Sequence, residues 1–381
     1  MFVDSGLREA AALPGRRERS LSICFVAPHA WSAVSGDPRR REIGGAEVQQ
    51  SILARLFAAS GYRVSMICLD HGQPDPIVVD GVTVHRAFHP DAGLPVVRFA
   101  HPRLTSMWRA LRVADADIYY YRSTSMWIGV IAEFCARHGR HAVYAGASDR
   151  DFVPGHGGQI RYARDRWLFR RGIERADAIV AQNEVQRAQV REHFGREALV
   201  IPSCYVLPED AFPGRGDEVL WVGTMHDNKR PQMLLDLAAR LPHRRFVMIG
   251  GPSANGRTSY EAAKARAAGL ANVEFTGFLP LAEVERRFDR ARVLVSTSVY
   301  EGMPNVFLQA WARGVPTVAT VDVGPNRHVQ DLEEMEAGVE RLFDGCAWRA
   351  ASRTVRDYFA KNHSPAQALE RYGRLFREIT A

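Results

Sequence analysis

Short apolar runs of strand length alternate with helical stretches twice over in this chain, and a segment rich in proline and glycine separates the two series. The first run, Leu21–Ala27 (Leu-Ser-Ile-Cys-Phe-Val-Ala), has the length and continuity of a strand buried on both faces. After a polar loop with Gly36, Pro38 and three consecutive arginines, Gly44-Gly45-Ala46-Glu47 opens a helical pattern through Val48, Ile52 and Leu56 that stops at Gly61. Further strands are expected at Tyr62–Leu69, Val82–Phe88, Ile118–Tyr121, His141–Tyr144 and Ala178–Ala181. Pro208, Pro213, Gly214 and Gly216 then mark a linker. The second series runs Val219–Gly223, a helix through Met233-Leu234-Leu235, Arg245–Gly250, a helix around Lys264, Val273–Gly277, a helix around Phe288, and Arg292–Thr297. Such alternation predicts an α/β chain with two doubly wound, Rossmann-like domains, each with a largely parallel sheet, facing across a cleft. The expected boundaries are a loose arm over 1–20, a first domain over 21–205, a second over 206–361, and a final helix, about 362–381, that packs back on the first.

Length and composition agree with two packed domains: 381 residues, 46% hydrophobic and 24% charged. The net charge of +7 would attract a polyanion, a phosphorylated substrate or an anionic membrane. No aromatic-studded basic ribbon or zinc-finger spacing accompanies it, so nucleic acid is not an expected partner. The five cysteines, Cys24, Cys68, Cys135, Cys204 and Cys346, are odd in number and widely spread, and they read as reduced residues. No window holds the roughly twenty apolar residues of a spanning helix, and the first twenty residues lack the apolar stretch of a signal peptide. The expected location is cytoplasmic, with the inner face of the membrane as the surface the chain would touch.

The most informative stretch is Ser298 to Thr320, with Tyr300-Glu301-Gly302-Met303-Pro304-Asn305-Val306 at its head and Gln309 further on. A strand ends in a carboxylate, glycine and proline shape a tight turn, and a helix begins with backbone N–H groups that attract phosphate. This segment resembles the donor-binding motif of the retaining glycosyltransferases of family four, the GT-B type, whose pattern is Glu, seven residues, Glu. Glu301 matches the first position; the second falls on Gln309. The resemblance implies that the first carboxylate contacts the donor sugar and that residue 309 meets the ribose, here without a charge. Trp221-Val222-Gly223-Thr224-Met225-His226-Asp227-Asn228-Lys229-Arg230-Pro231 resembles the family's Val-Gly-Arg loop, with Lys229 in the lysine place and Thr224 in the arginine place. One of two cations expected on the diphosphate is therefore absent, with Arg230 adjacent; an arginine supplies a bidentate fork that threonine cannot imitate. Gly44-Gly45 resembles the glycine approach to the donor phosphate from the opposing domain, and Thr276-Gly277-Phe278-Leu279 the turn that meets the nucleobase.

The resemblance implies a retaining sugar transfer from a UDP- or GDP-sugar to a glycan or lipid-linked acceptor, with the nucleotide sugar as co-substrate, no cofactor and no metal. Lys229 and helix N-termini would offset charge growing on the diphosphate. Glu301 and Lys229 are the expected catalytic residues; Gly44, Gly45, Gly223, Thr224, Arg230, Phe278, Gly302, Met303, Pro304, Asn305, Val306 and Gln309 would complete the donor site. Asp149, after the His141–Tyr144 strand, is a candidate acceptor contact. No histidine stands near that strand end, so no base is assigned. Asp115–Asp117 and Asp149–Asp151 imitate an Asp-x-Asp metal clamp, but their contexts read as ordinary turns. Arg161–Arg175 carries six arginines against two acids, with Tyr162, Trp167, Leu168, Phe169 and Ile173 among them. Its alternatives are a peripheral membrane surface or an amphipathic helix with a solvated face. After Thr320 the resemblance thins, and Gly324-Pro325-Asn326 runs almost directly into an acidic helix. Two alternatives to a transferase remain: another GT-B enzyme, such as a nucleotide-sugar epimerase or phosphorylase, or a binding-only protein. A dehydrogenase is disfavoured by the missing Gly-x-Gly-x-x-Gly spacing.

Overall fold

The computed structural model describes residues 21–36, 44–94, 99–153, 160–208, 210–211, 216–253 and 256–381. The expected arm, the arginines at 39–41, Pro213 and Gly214 lie outside these residues. The chain divides into two compact units. One runs to Val206 and takes back Pro365–Ala381; the other is Leu207–Ser364.

In the first unit eight strands form one sheet: β1 Ser22–Val26, β2 Arg63–Cys68, β3 Ile77–Val79, β4 Val82–Arg86, β5 Ile118–Arg122, β6 His141–Ala145, β7 Ala178–Ala181 and β8 Leu199–Val200, in the order β3-β4-β2-β1-β5-β6-β7-β8. All neighbours are parallel except β3 and β4. β3, β8 and the short helix α1 (Trp31–Ser35) are additions to the expected elements. A three-residue strand is too short to show a period, but Asp80-Gly81, both at positive φ, form the kind of tight turn that closes a hairpin.

Helices α2 (Gly45–Ala59), α3 (Thr105–Ala114), α4 (Trp127–His138), α5 (Ala163–Arg175) and α6 (Glu184–Phe194) join the parallel strands. Because strand side chains alternate between faces, neighbouring residues enter different cores. Ile23, Phe25, Ile118 and Tyr120 pack with Leu53 and Phe57 of α2, whereas Cys24, Val26, Tyr119 and Tyr121 pack with Met107, Leu111, Ile128 and Phe169 of α3, α4 and α5. Cys24, Cys68, Cys135 and Cys204 are buried free thiols, and Cys346 is exposed. Burial pushes the Cys24 and Cys204 thiols up to about 12.

The second unit repeats the plan with β9 Glu218–Val222, β10 Arg245–Ile249, β11 Val273–Gly277, β12 Ala291–Ser296, β13 Thr317–Ala319 and β14 Arg327–His328, all parallel, in the order β11-β10-β9-β12-β13-β14. Its helices are α7 (Pro231–Arg240), α8 (Arg257–Ala267), α9 (Leu281–Phe288), α10 (Asn305–Ala312), α11 (Leu332–Arg341) and α12 (Gly345–Asn362). Asp331 and Asp344 cap α11 and α12 by accepting backbone N–H groups of the first turn. This is the dinucleotide-fold strand order, whose direction reverses between β9 and β12 and leaves a ligand crevice at their carboxyl ends. The final helix, α13 (Pro365–Thr380), belongs to the first unit: Ala368, Tyr372, Leu375 and Phe376 are buried in the core beside α2.

Candidate donor site at the switch point of the second unit

The loop after β9 and the loop after β12 are laced together. Thr297, fully buried, accepts a hydrogen bond from Trp221 Nε1 at 3.0 Å and donates to the Lys229 carbonyl at 2.5 Å. Its own carbonyl accepts from Arg230 Nε at 2.6 Å. Asn228 clips the other side: its carbonyl accepts from Val299 N at 2.9 Å, and its amide donates to the Tyr300 carbonyl at 3.1 Å. Arg230 turns the chain into α7 from a left-handed conformation, φ 44°, that costs a residue with a Cβ.

This lacing brings the Lys229 ammonium onto the Glu301 carboxylate as an ion pair. The side chains are 20% and 16% exposed, so the pair is accessible from solvent yet mostly withdrawn from it. His226, one turn before Lys229, is half-buried, and burial and then the Lys229 charge hold its pKa below the ordinary histidine value, while Glu301 and Asp227 oppose the shift.

Other expected donor residues surround these elements. Gly223 follows β9 directly and is anchored by its N–H to the Ile249 carbonyl at 3.0 Å. Gly250, beyond β10, admits no side chain, since a Cβ there would lie 1.9 Å from the Gly223 carbonyl oxygen. Thr224 is exposed, and its place holds no cation; Arg230, the neighbouring one, spends its Nε on Thr297. Phe278 follows β11 and lies against Gly251. Gly302 and Pro304 are buried, Met303, Asn305 and Val306 half-buried, and α10 starts at Asn305. Gln309, on α10, is buried and bonded to Glu285 of α9.

In the first unit Gly44 and Gly45 are exposed at the start of α2. Asp149 has one carboxylate oxygen occupied by Asn183 Nδ2 at 3.0 Å and Gln186 Nε2 at 2.9 Å, which ties the loop after β6 to the first turn of α6. The other aspartates of the two Asp-x-Asp pairs are bonded within the first unit. Asp117 accepts from the backbone N–H and hydroxyl of Ser22 at 2.9 and 2.6 Å, Asp115 pairs with Arg140 at 2.6 Å, and Asp151 accepts from Ala147 and Ser148 N–H. α5 sets Phe169 and Ile173 into the core, and Tyr162 and Trp167 stand outside, 56% and 59% exposed.

Four contributors escaped sequence reasoning: His226, Asn228, Thr297 and Glu285. His226 and Asn228 were within reach, since they lie between Thr224 and Lys229. Thr297 and Glu285 act on residues distant in sequence and carry no local signal.

Each unit is Rossmann-like and the second carries a cation and a carboxylate at its switch point, an architecture that places the chain in the GT-B fold class. Residues 216–345 match the family described as "Glycosyl transferases group 1", and residues 44–204 match the "Glycosyl transferase 4-like domain". The chain belongs to these family-four glycosyltransferases of GT-B fold. It is 27% identical over 347 residues to a D-inositol 3-phosphate glycosyltransferase of Mycobacteroides abscessus, covering 82% of this chain and 76% of the relative. Among solved structures it resembles the sucrose-phosphate synthase of Thermosynechococcus elongatus, with TM-score 0.73, 19% identity, and 94% and 99% of the two chains covered. It also resembles a glycosyltransferase of Rickettsia africae ESF-5, with TM-score 0.70, 13% identity, and 95% and 99% covered. At these identities the structural likeness speaks for the fold. Among the described residues no helix is long and apolar enough to cross a membrane.

Proposed function

We propose that this glycosyltransferase takes a sugar from a nucleoside diphosphate, UDP or GDP, and passes it with retention of configuration to a glycan or lipid-linked acceptor, without a metal ion. The observation that carries this reading is the Lys229–Glu301 pair at the carboxyl ends of β9 and β12. A donor diphosphate offers Lys229 a second anion, so the ammonium can offset charge on the leaving phosphate while Glu301 turns to the sugar hydroxyls. The start of α10 adds the partial positive charge of a helix N-terminus. The turn at Phe278 would meet the base. Acceptor contact is assigned to Asp149 through the carboxylate oxygen not held by α6.

The test is a thermal-shift panel of nucleotides and nucleotide sugars, since the preferred donor stabilises the fold by mass action. Transfer with that donor is then followed by NMR, with and without EDTA. An inverted anomeric product, or activity lost with EDTA and restored by a divalent ion, would overturn the corresponding part of the reading. Donor epimerised without acceptor would make the protein a different GT-B enzyme, and binding without transfer or hydrolysis across the panel would leave a binding protein.

The exposed Trp167 and Tyr162, with Arg161 and Arg171 stacked on their rings, support contact between α5 and an anionic membrane at its inner face. Replacing Arg161, Arg164 and Arg171 with glutamate is expected to abolish sedimentation with phosphatidylglycerol vesicles; unchanged sedimentation would end the idea.

A further inference from the structure

Gln309 occupies the place of the second motif carboxylate, and the residue is 7% exposed. Its amide nitrogen donates to one carboxylate oxygen of Glu285 at 2.7 Å. The other oxygen of Glu285 accepts from Arg313 at 2.7 Å. Arg313, 2% exposed, also donates to Asp289 at 2.7 Å and to the backbone carbonyl of Gln309 at 3.1 Å. α9 and α10 are thus joined by a network with Glu285 at its centre, in which Gln309 and Arg313 are buried and Glu285 and Asp289 keep a small exposure.

A carboxylate held by an arginine offers only lone pairs, so the amide cannot turn round. Its nitrogen must face Glu285, and its carbonyl oxygen is left as the group presented elsewhere. Among the described residues no protein donor is paired with that oxygen.

We infer that Glu285 is a positioning residue for the donor nucleotide: it holds Gln309 with its oxygen toward the ribose hydroxyls, so that this chain reads the ribose through a neutral, oriented acceptor. This rests on the reading of α10 as part of the nucleoside-diphosphate site. A consequence follows for the departure from the family pattern. A carboxylate at 309 would meet Glu285 as a like charge in a buried place, so restoring glutamate there alone is unfavourable. Residues 285 and 309 form a coupled pair. In the double exchange Glu285→Gln/Gln309→Glu the amide and the carboxylate trade places, so the same contact can form with donor and acceptor reversed, while the amide oxygen at 285 still accepts from Arg313.

The full-length protein and the variants Gln309→Glu, Glu285→Gln and Glu285→Gln/Gln309→Glu are to be compared by calorimetry with UDP and GDP, each against its 2′,3′-dideoxy form. Preference for the ribose form is expected to be about tenfold in the wild type, to fall to within about threefold of unity in each single variant, and to return in the double variant. A merely structural role would weaken both nucleotide forms together and leave their ratio unmoved. Full preference in Gln309→Glu alone, or none in a double variant that melts with the wild type, overturns the inference and leaves the donor reading standing. A wild type that binds neither UDP nor GDP in either form overturns the donor reading and the inference with it.

Discussion

Lys229 and Glu301 lie 72 positions apart, and each was legible from its own motif; that they pair was not. Neutralising either end should therefore cost more than a surface ion pair would. Glu301→Gln and Lys229→Met are each expected to lower turnover about 100-fold or more, the scale seen when an oriented charge-stabilising group is lost. The melting temperature should stay within a few degrees; a variant with wild-type turnover would remove the residue from the chemistry. His226 and His85 make a second prediction. Burial, with the Lys229 charge added at His226, holds both pKa values below the ordinary histidine value. Unfolding returns them to about 6.5, so as pH falls below that value the unfolded chain takes up protons first and the folded state loses stability. Glu274 and Glu340 have depressed pKa values through hydrogen bonds from Arg287 and Arg244, and their contribution persists on acidification until pH approaches the ordinary carboxylate range. Denaturant unfolding at pH 7, 6 and 5 should show the histidine step, and His85→Gln/His226→Gln should flatten it.

At the scale of elements, the apolar runs revealed most strands because a strand buried on both faces must be apolar throughout. α1, β3, β8, β13 and β14 escaped because none is long enough to show a period, and α12, eighteen residues long, escaped as well. The crossing of α4 and α5 depends on two residues whose importance no local pattern reveals. A Cβ on Gly129 would lie 2.2 Å from the Leu168 carbonyl oxygen, and one on Gly172 would lie 2.5 Å from the Gly129 nitrogen. Gly129→Ala should force the helices apart and cost about 1–3 kcal/mol, the usual scale of overpacking. A denaturation midpoint equal to wild type would show that the crossing yields freely. Gly250→Ala strikes nearer the site, because its Cβ would push the Gly223 carbonyl and the loop that carries Lys229. Its expected signature is weaker nucleotide binding together with lower stability.

For the whole molecule, α13 completes the first unit from the far end of the chain. The hydroxyl of Tyr372 lies 3.1 Å from that of Tyr120, and the rings of Tyr372 and Phe376 both pack against Phe57. Phe376→Ala should cost about 3–5 kcal/mol, the scale for a large buried aromatic side chain. Deleting residues 365–381 should leave the first unit unable to fold, which limited proteolysis and solubility would report. The sequence by itself determined the two α/β series, the turn at Glu301-Gly302-Met303-Pro304 and the lysine loop, because apolar runs, turn residues and helix starts are local properties of a few consecutive side chains. Only the tertiary structure decided that Lys229 meets Glu301, that Thr297 and Asn228 lace their loops together, and that Glu285 orients Gln309. These partners are chosen by which distant elements pack against one another. That choice belongs to the burial of whole faces and to the order of strands in a sheet, which no short stretch of residues carries.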